Sequence, residues 1–180
     1  MALTATERVD LALSAFFKGR PATGRLRVAL SGGRDSVVLL HALHRLQAAG
    51  GESFALSAIH VHHGISVNAD AWAEFCGDLC DGLGISLEIV RVSVPRDSGE
   101  GLEAAARRLR HQAFASCAAD CLALAQHRDD QAETVLLNLL RGAGVAGAAA
   151  MPAVRAARRG PCLLRPLLDV PRAVIEGYAV

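Results

Sequence analysis

Two rhythms of apolar residues alternate along this chain. Short, nearly unbroken apolar runs occur at Leu26–Leu30, Phe54–Val61, Ser86–Val92, Cys121–Ala125 and Cys162–Leu164. Runs this short, bounded by turn residues, predict buried strands. Between them lie longer stretches with apolar residues three and four apart, which predict helices. Thr4-x-x-Glu7 forms a capping-box pattern and opens a helix through Phe16-Phe17. Further helices are expected from Val37 to Ala48, Asp70 to Leu83, Leu102 to Cys117 and Asp129 to Leu140, with a last one opening near Pro171. Gly50-Gly51 and Gly84 mark helix ends. Gly19, Pro21 and Gly24 predict a loop, Pro95 to Gly101 a mobile polar loop, and Gly142, Gly144 and Gly147 a loosened segment.

Strands alternating with helices predict an α/β fold. The expected form is a Rossmann-like three-layer sandwich, with helices on both faces of a mostly parallel sheet of about five strands. Ligands in such folds sit beyond the carboxyl ends of the strands. The polar groups to inspect are therefore Ser31 to Ser36, His60 to Gly64, and Gln126 to Asp130.

The first of these is Ser31-Gly32-Gly33-Arg34-Asp35-Ser36, between a strand and a helix start. Helix N-termini present free N–H groups and a positive dipole end, which suits phosphate. The pattern is neither Gly-x-x-x-x-Gly-Lys-[Ser/Thr] nor Gly-x-Gly-x-x-Gly. It offers two hydroxyls and two glycines that a phosphate can approach closely. Asp35 would repel phosphate unless a cation lay between them, so it implies Mg²⁺. The plainer alternative is a structural turn.

A second group is Gln126-His127-Arg128-Asp129-Asp130-Gln131-Ala132-Glu133-Thr134. Spacings of three and four let Asp129, Asp130 and Glu133 share a helix face. Such carboxylates can hold Mg²⁺, a substrate ammonium group, or a proton in transfer. They also suit a helix N-terminus with no further role. His60 and His62 should share one strand face, with His63 turned away. A pocket lining suits these histidines better than a metal, since no convergent ligand set follows. Glu103 and Arg107 are spaced as an ordinary helix-surface ion pair, and Arg107 would gain a role only beside a phosphate.

Composition narrows the classes. The 180 residues are 52% hydrophobic and 21% charged, enough for a single globular domain with a substantial core. Aromatics reach only 4%, so that core must be Leu, Val, Ile and Ala. No run approaches the ~18 apolar residues of a membrane span. Glu7, Arg8 and Asp10 fall where a secretion signal needs apolar residues, so the expected compartment is the cytoplasm. The five cysteines, Cys76, Cys80, Cys117, Cys121 and Cys162, read as free thiols. Trp72, Phe75, Cys76, Leu79 and Leu83 predict an apolar stripe that favours packing over metal binding. The net charge is +1, with arginine clusters at Arg107, Arg108 and Arg110 and at Arg155, Arg158 and Arg159. Each cluster is either solvated surface or a phosphate contact.

In order along the chain, these motifs resemble the PP-loop, or N-type ATP pyrophosphatase, superfamily. Within it they are similar to the tRNA(Ile)-lysidine synthetases. The shared segments are Ser31–Ser36, His60–Gly64 with Ala69–Trp72, Gly101–Arg107, Ala125–Thr134, Arg141-Gly142-x-Gly144, and Arg165–Leu168 with Arg172. The resemblance implies an adenine nucleotide alpha hydrolase-like fold and a ligase that forms a carbon–nitrogen bond. ATP would adenylate the wobble cytidine of an isoleucine tRNA with a CAU anticodon, releasing pyrophosphate. Free L-lysine would then displace AMP at C2, giving lysidine. It implies ATP and Mg²⁺ as cofactors. Ser31, Gly32, Gly33, Arg34, Asp35 and Ser36 would hold ATP, with Asp35 and Asp130 at Mg²⁺. Asp35, Asp130, Glu133 and Arg107 would be catalytic. His60, His127, Asp129, Glu103 and Arg141 would line the pocket or meet substrate. Residues 1–180 would be one catalytic domain, without the family's C-terminal tRNA-binding domains. A homodimer is expected, and no membrane partner. The rival readings are a tRNA 2-thiolation enzyme, which would need a reactive cysteine near the loop, an amidotransferase-type synthetase, and an ATP-binding module without turnover.

Overall fold

A computed structural model of the chain describes residues 2–18, 24–50, 54–95, 99–142, 150–157 and 160–179. Gly19, Pro21, Gly51, Gly144, Gly147, Arg158, Arg159 and residues 96–98 of the expected mobile loop lie outside the described residues. The elements run α1 (Ala5–Phe17), β1 (Gly24–Ala29), α2 (Arg34–Ala48), β2 (Phe54–His62), α3 (Ala69–Leu83), β3 (Ser86–Arg91), α4 (Leu102–Ser116), β4 (Cys121–Ala123), α5 (Arg128–Leu140), β5 (Val154–Arg155), β6 (Cys162–Leu164) and α6 (Arg172–Tyr178).

The expected Thr4–Glu7 capping box opens α1: the Glu7 amide donates to Thr4 Oγ1 at 3.2 Å, and the Thr4 amide to Glu7 Oε2 at 2.7 Å. The sheet has six strands in the order β3-β2-β1-β4-β6-β5, not about five. The additional strand is β5, a two-residue antiparallel edge on β6; it is too short to show a periodic pattern. All other pairings are parallel.

Strand residues alternate between two cores, as a period of two requires. Leu26, Val28 and Leu30 face one core, which they share with Val9, Leu13, Leu39, Leu43, Cys76 and Ile175 from four helices. Ile59, Val61, Leu122 and Leu163 face the other, closed by Phe114 and Cys117 at the end of α4. This is the expected three-layer arrangement. Each fully buried Leu contributes about 1.5–3 kcal/mol relative to exposure, so the many fully buried leucines compensate for the scarcity of aromatics.

The expected stripe on α3 is rotated. Ala73, Cys76 and Cys80 are buried, whereas Trp72 and Phe75 are 49% and 46% exposed. Cys76 therefore packs as expected, but the bulky aromatics flank the stripe. Burial pushes the Cys76 thiol up to about 11, and raises Cys80 and Cys117 as well.

Chain direction across the sheet reverses at β1. From there β2 and β3 run one way, and β4, β6 and β5 the other. The connections leaving β1 and β4 part at that point and open a crevice between their carboxyl ends.

Candidate active site

The crevice is a pocket of about 510 Å³. Its lining includes Ser31, Gly33, Asp35 and Ser36 after β1, His60 and His62 on β2, and Gln126 and Asp130 after β4. Arg107, Arg110 and His111 of α4 close another side. Residues separated by up to a hundred positions thus meet in one cavity.

The loop after β1 is held by its own side chains. Ser36 is 5% exposed, and its hydroxyl donates to the Gly33 carbonyl at 2.7 Å. With that proton used, Ser36 Oγ accepts from the Ser31 amide and from the Ser31 hydroxyl, both at 3.1 Å. Ser31 Oγ in turn accepts the Gly33 amide at 3.2 Å. The ring of bonds fixes the path of the loop into α2, whose first turn presents amides of the kind that suit an anion. Gly32 has φ +84°, and a Cβ there would stand 3.4 Å from Cys76 Sγ. Gly33 is the N-cap, with ordinary extended angles.

Arg34 turns away from the pocket. Its guanidinium meets Glu176 Oε1 at 2.6 Å, tying α2 to α6. Asp35 faces the pocket, and its Oδ2 lies 3.7 Å from His127 Nε2.

His127 is 4% exposed and caps α5. Its amide donates to Asp130 Oδ2 at 2.9 Å, and its Nδ1 accepts the Asp130 amide at 3.4 Å. The imidazole thus sits between the carboxylates of Asp35 and Asp130 and spaces them. Asp129 is engaged elsewhere: its Oδ2 accepts the Arg172 amide at 2.9 Å and so caps α6. That hydrogen bond holds its carboxyl below the usual aspartate range. Glu133 and Arg141 are exposed on α5 and at its end, outside the pocket lining.

His60 and His62 share the strand face expected of them, with ring centroids 6.5 Å apart. His60 Nδ1 donates to the Leu30 carbonyl at 2.9 Å, and burial holds its pKa below the usual histidine value. His62 Nε2 contacts Asp70 Oδ1 at 3.0 Å and joins β2 to α3. The Glu103–Arg107 ion pair does not form. Glu103 is exposed, Arg107 lines the pocket, and neither has an ionic partner among the described residues. Their neighbour Arg108 instead pairs with Glu100 at 2.6 Å.

Three pocket residues, Trp72, His111 and Arg110, were not legible as such in the sequence, whereas Gln126 lines the pocket as expected. Trp72 reads as a core residue by its spacing, yet it lines the pocket. His111 carries no motif, and only the orientation of α4 brings it in. Gln126 receives a hydrogen bond from the buried Arg165, whose Nη1 also donates to the Pro152 carbonyl at 2.8 Å. Arg110 was one of a cluster with no assigned direction.

Mg²⁺ commonly takes one or two carboxylates together with phosphate oxygens and water. Asp35 and Asp130, both on the pocket wall beside the loop amides, fit that donor set. No protein-only cluster of three or more metal ligands occurs among the described residues. No helix among them is long and apolar enough to cross a membrane.

Comparison with known proteins agrees with this geometry. The chain is 54% identical to a tRNA(Ile)-lysidine synthase of Azoarcus sp. over 156 residues, covering 86% of this chain and 34% of that protein. It is 50% identical to a tRNA(Ile)-lysidine synthase of Burkholderia mallei over 178 residues, covering 96% of this chain and 35% of the relative. The chain thus spans about a third of the length of these curated relatives. Among solved structures, a U34-tRNA thiolase of Methanococcus maripaludis superposes with a TM-score of 0.73 at 20% identity, covering 97% of this chain and 63% of that one. An NAD⁺ synthetase of Burkholderia pseudomallei superposes at 0.51 with 14% identity, covering 97% and 65%. These two likenesses establish the fold. The sequence profile of the PP-loop domain matches residues 5–180, so the serine–glycine loop at the switch point is that of the PP-loop family, to which this chain belongs.

Proposed function

We propose that residues 1–180 form the ATP-binding catalytic domain of a tRNA(Ile)-lysidine-forming ligase. ATP is cleaved to AMP and pyrophosphate, and free L-lysine is joined to C2 of the wobble cytidine in an isoleucine tRNA with a CAU anticodon. The observation that carries this reading is the convergence of the Ser31–Ser36 loop, Asp35, Asp130 and Arg107 in one pocket.

Roles follow from chemistry and position. The amides of the first turn of α2 hold the pyrophosphate portion of ATP. Asp35 and Asp130 would hold Mg²⁺, which would neutralise phosphate charge. Arg107, with no carboxylate partner among the described residues, is free to stabilise negative charge growing at the α-phosphate. His127 is a positioning residue that separates Asp35 from Asp130. Lysine attacks as the neutral amine, so its ammonium group must lose a proton before bond formation. That happens near Asp130, the one of the two expected carboxylates, Asp130 and Glu133, that lines the pocket. His60, held neutral by burial, adds no positive charge beside the nucleotide.

The 2-thiolation alternative needs an activated thiol in the pocket. No cysteine lines it, and burial raises the pKa of Cys76, Cys80, Cys117 and Cys121. A binding module without turnover has no use for paired carboxylates beside the phosphates.

The deciding experiment incubates tRNA, ATP, Mg²⁺ and labelled lysine with this chain and with a version extended to the relatives' length. Label should enter a CAU-anticodon isoleucine tRNA and no methionine tRNA. Absence of label with both proteins refutes the reading. Asp35→Ala should abolish pyrophosphate release while the circular dichroism spectrum is unchanged.

A further inference from the structure

The α4 side of the pocket carries positive charge that no carboxylate contact among the described residues balances. Arg107, Arg110, His111 and Phe114 stand at positions i, i+3, i+4 and i+7 and share one face of α4. Phe114 is buried in the second core and its ring meets the His111 ring at 6.4 Å, edge to face. That anchor turns Arg107, Arg110 and His111 into the pocket. Arg165, just past β6, donates to the pocket residue Gln126, and Arg155 lies on β5 opposite Leu163 of the core that holds Phe114. With Arg107 and Arg110, both act electrostatically on His111 and lower its pKa, after burial.

None of these four arginines meets a carboxylate among the described residues. By contrast Arg25, Arg91 and Arg108 each have one within 3.3 Å. Arg165 is 6% exposed and has only neutral acceptors, Gln126 Oε1 and the Pro152 carbonyl. Arg110 is half-buried with no partner at all among the described residues, and burial works against its charge. A guanidinium stays charged under these conditions. Like charges at this helical spacing also repel. A partly desolvated cationic wall without a counter-charge is thus set up to receive an anion.

We propose that Arg110, Arg155 and Arg165, gathered around His111, form a second anion site that binds a backbone phosphodiester of the RNA substrate next to the reacting base. This rests on the ligase reading above. Two features favour a phosphodiester over the phosphates of ATP. The nucleotide's phosphates already have the loop amides and the carboxylates that suit Mg²⁺. No carboxylate contacts these arginines among the described residues, so the wall suits a bare anion; Mg²⁺-laden phosphate would bring a further cation against four others.

The test follows the His111 ring by NMR in the intact chain, as a function of pH. One arm adds a 17-nucleotide anticodon stem-loop RNA, and the other adds Mg²⁺ with a non-hydrolysable ATP analogue. Bound phosphodiester screens the arginines, so RNA should raise the His111 midpoint by roughly 0.5–1 pH unit. The ATP analogue, whose α-phosphate meets Arg107 alone of these four, should move it by clearly less. In parallel, Arg110→Gln combined with Arg155→Gln should weaken RNA binding about tenfold and make the slope of log K against log salt shallower by roughly 1–2. ATP-analogue affinity should stay within about twofold, which also reports that the variant is folded. A His111 midpoint unmoved by RNA at low salt overturns the proposal, as does a shift with the ATP analogue alone that equals the shift with RNA. Failure of the ligase reading looks different. RNA that moves His111 but never accepts lysine refutes the ligase and leaves the site standing; lysine incorporation with His111 unmoved refutes the site only.

Discussion

Replacing Ser36 with Ala removes the centre of the loop's hydrogen-bond ring. The hydroxyl donates to the Gly33 carbonyl and accepts from the Ser31 amide and the Ser31 hydroxyl. A typical bond of this kind contributes about 0.5–1.5 kcal/mol net. Ser31 is exposed, so water replaces part of what its groups lose. The expected cost is about 2–3 kcal/mol, taken from the two backbone bonds and a fraction of the third. For a chain of this length that is a fall in Tm of roughly 5–10 °C. Urea denaturation should show an earlier midpoint with an unchanged m-value. ATP-analogue affinity should fall at least about tenfold, since the first-turn amides of α2 lose their fixed direction. Ser31→Ala is the control. It breaks bonds from the solvent side and should cost only about 1 kcal/mol. The two substitutions share one bond and should couple by about 0.5–1.5 kcal/mol in a double-mutant cycle. A Ser36→Ala cost below about 0.5 kcal/mol, or a larger cost for Ser31→Ala, would refute the bonding order assigned to this loop.

Gly32→Ala forces an alanine to φ +84° and sets its Cβ 3.4 Å from Cys76 Sγ. It should cost about 1–2 kcal/mol from backbone strain, more than Gly33→Ala, and equal melting temperatures would contradict this. Arg34→Ala breaks a half-exposed pair with Glu176, so it should cost no more than about 1 kcal/mol, shrinking with salt, without weakening ATP binding; a large loss of ATP affinity would put Arg34 back at the phosphates. Burial lowers the pKa of His41, His60 and His63 from the ordinary 6.5. Above that value both folded and unfolded states are neutral there. As pH falls through it the unfolded chain takes up protons first, so stability should decline from pH ~7 to ~5. His60→Asn retains a donor for the Leu30 carbonyl but does not titrate, so its stability should decline less steeply over that range; an unchanged slope in urea melts at each pH would show that His60 takes no part.

Local chemistry determined a great deal here. The apolar runs, capping residues and glycines specify α1 to α6 and five strands, because these signals act over a few residues. The Ser31–Ser36 loop was legible for the same reason: a strand, a glycine turn and a helix start lie within one short segment. Only the tertiary structure decided direction. It turned Arg34 toward Glu176 and Asp129 toward the Arg172 amide, and it brought Asp130 together with Asp35 across His127. It rotated α3 so that Trp72 reached the pocket, and it left Arg107 without Glu103. Spacing of three or four places residues on a common helix face, but which face meets the pocket depends on how the helix packs against a sheet built from distant strands. The gathering of Arg110, Arg155 and Arg165 around His111 is of this kind. The sequence contains each cation, and the packing of α4 across the carboxyl ends of the strands makes them one site.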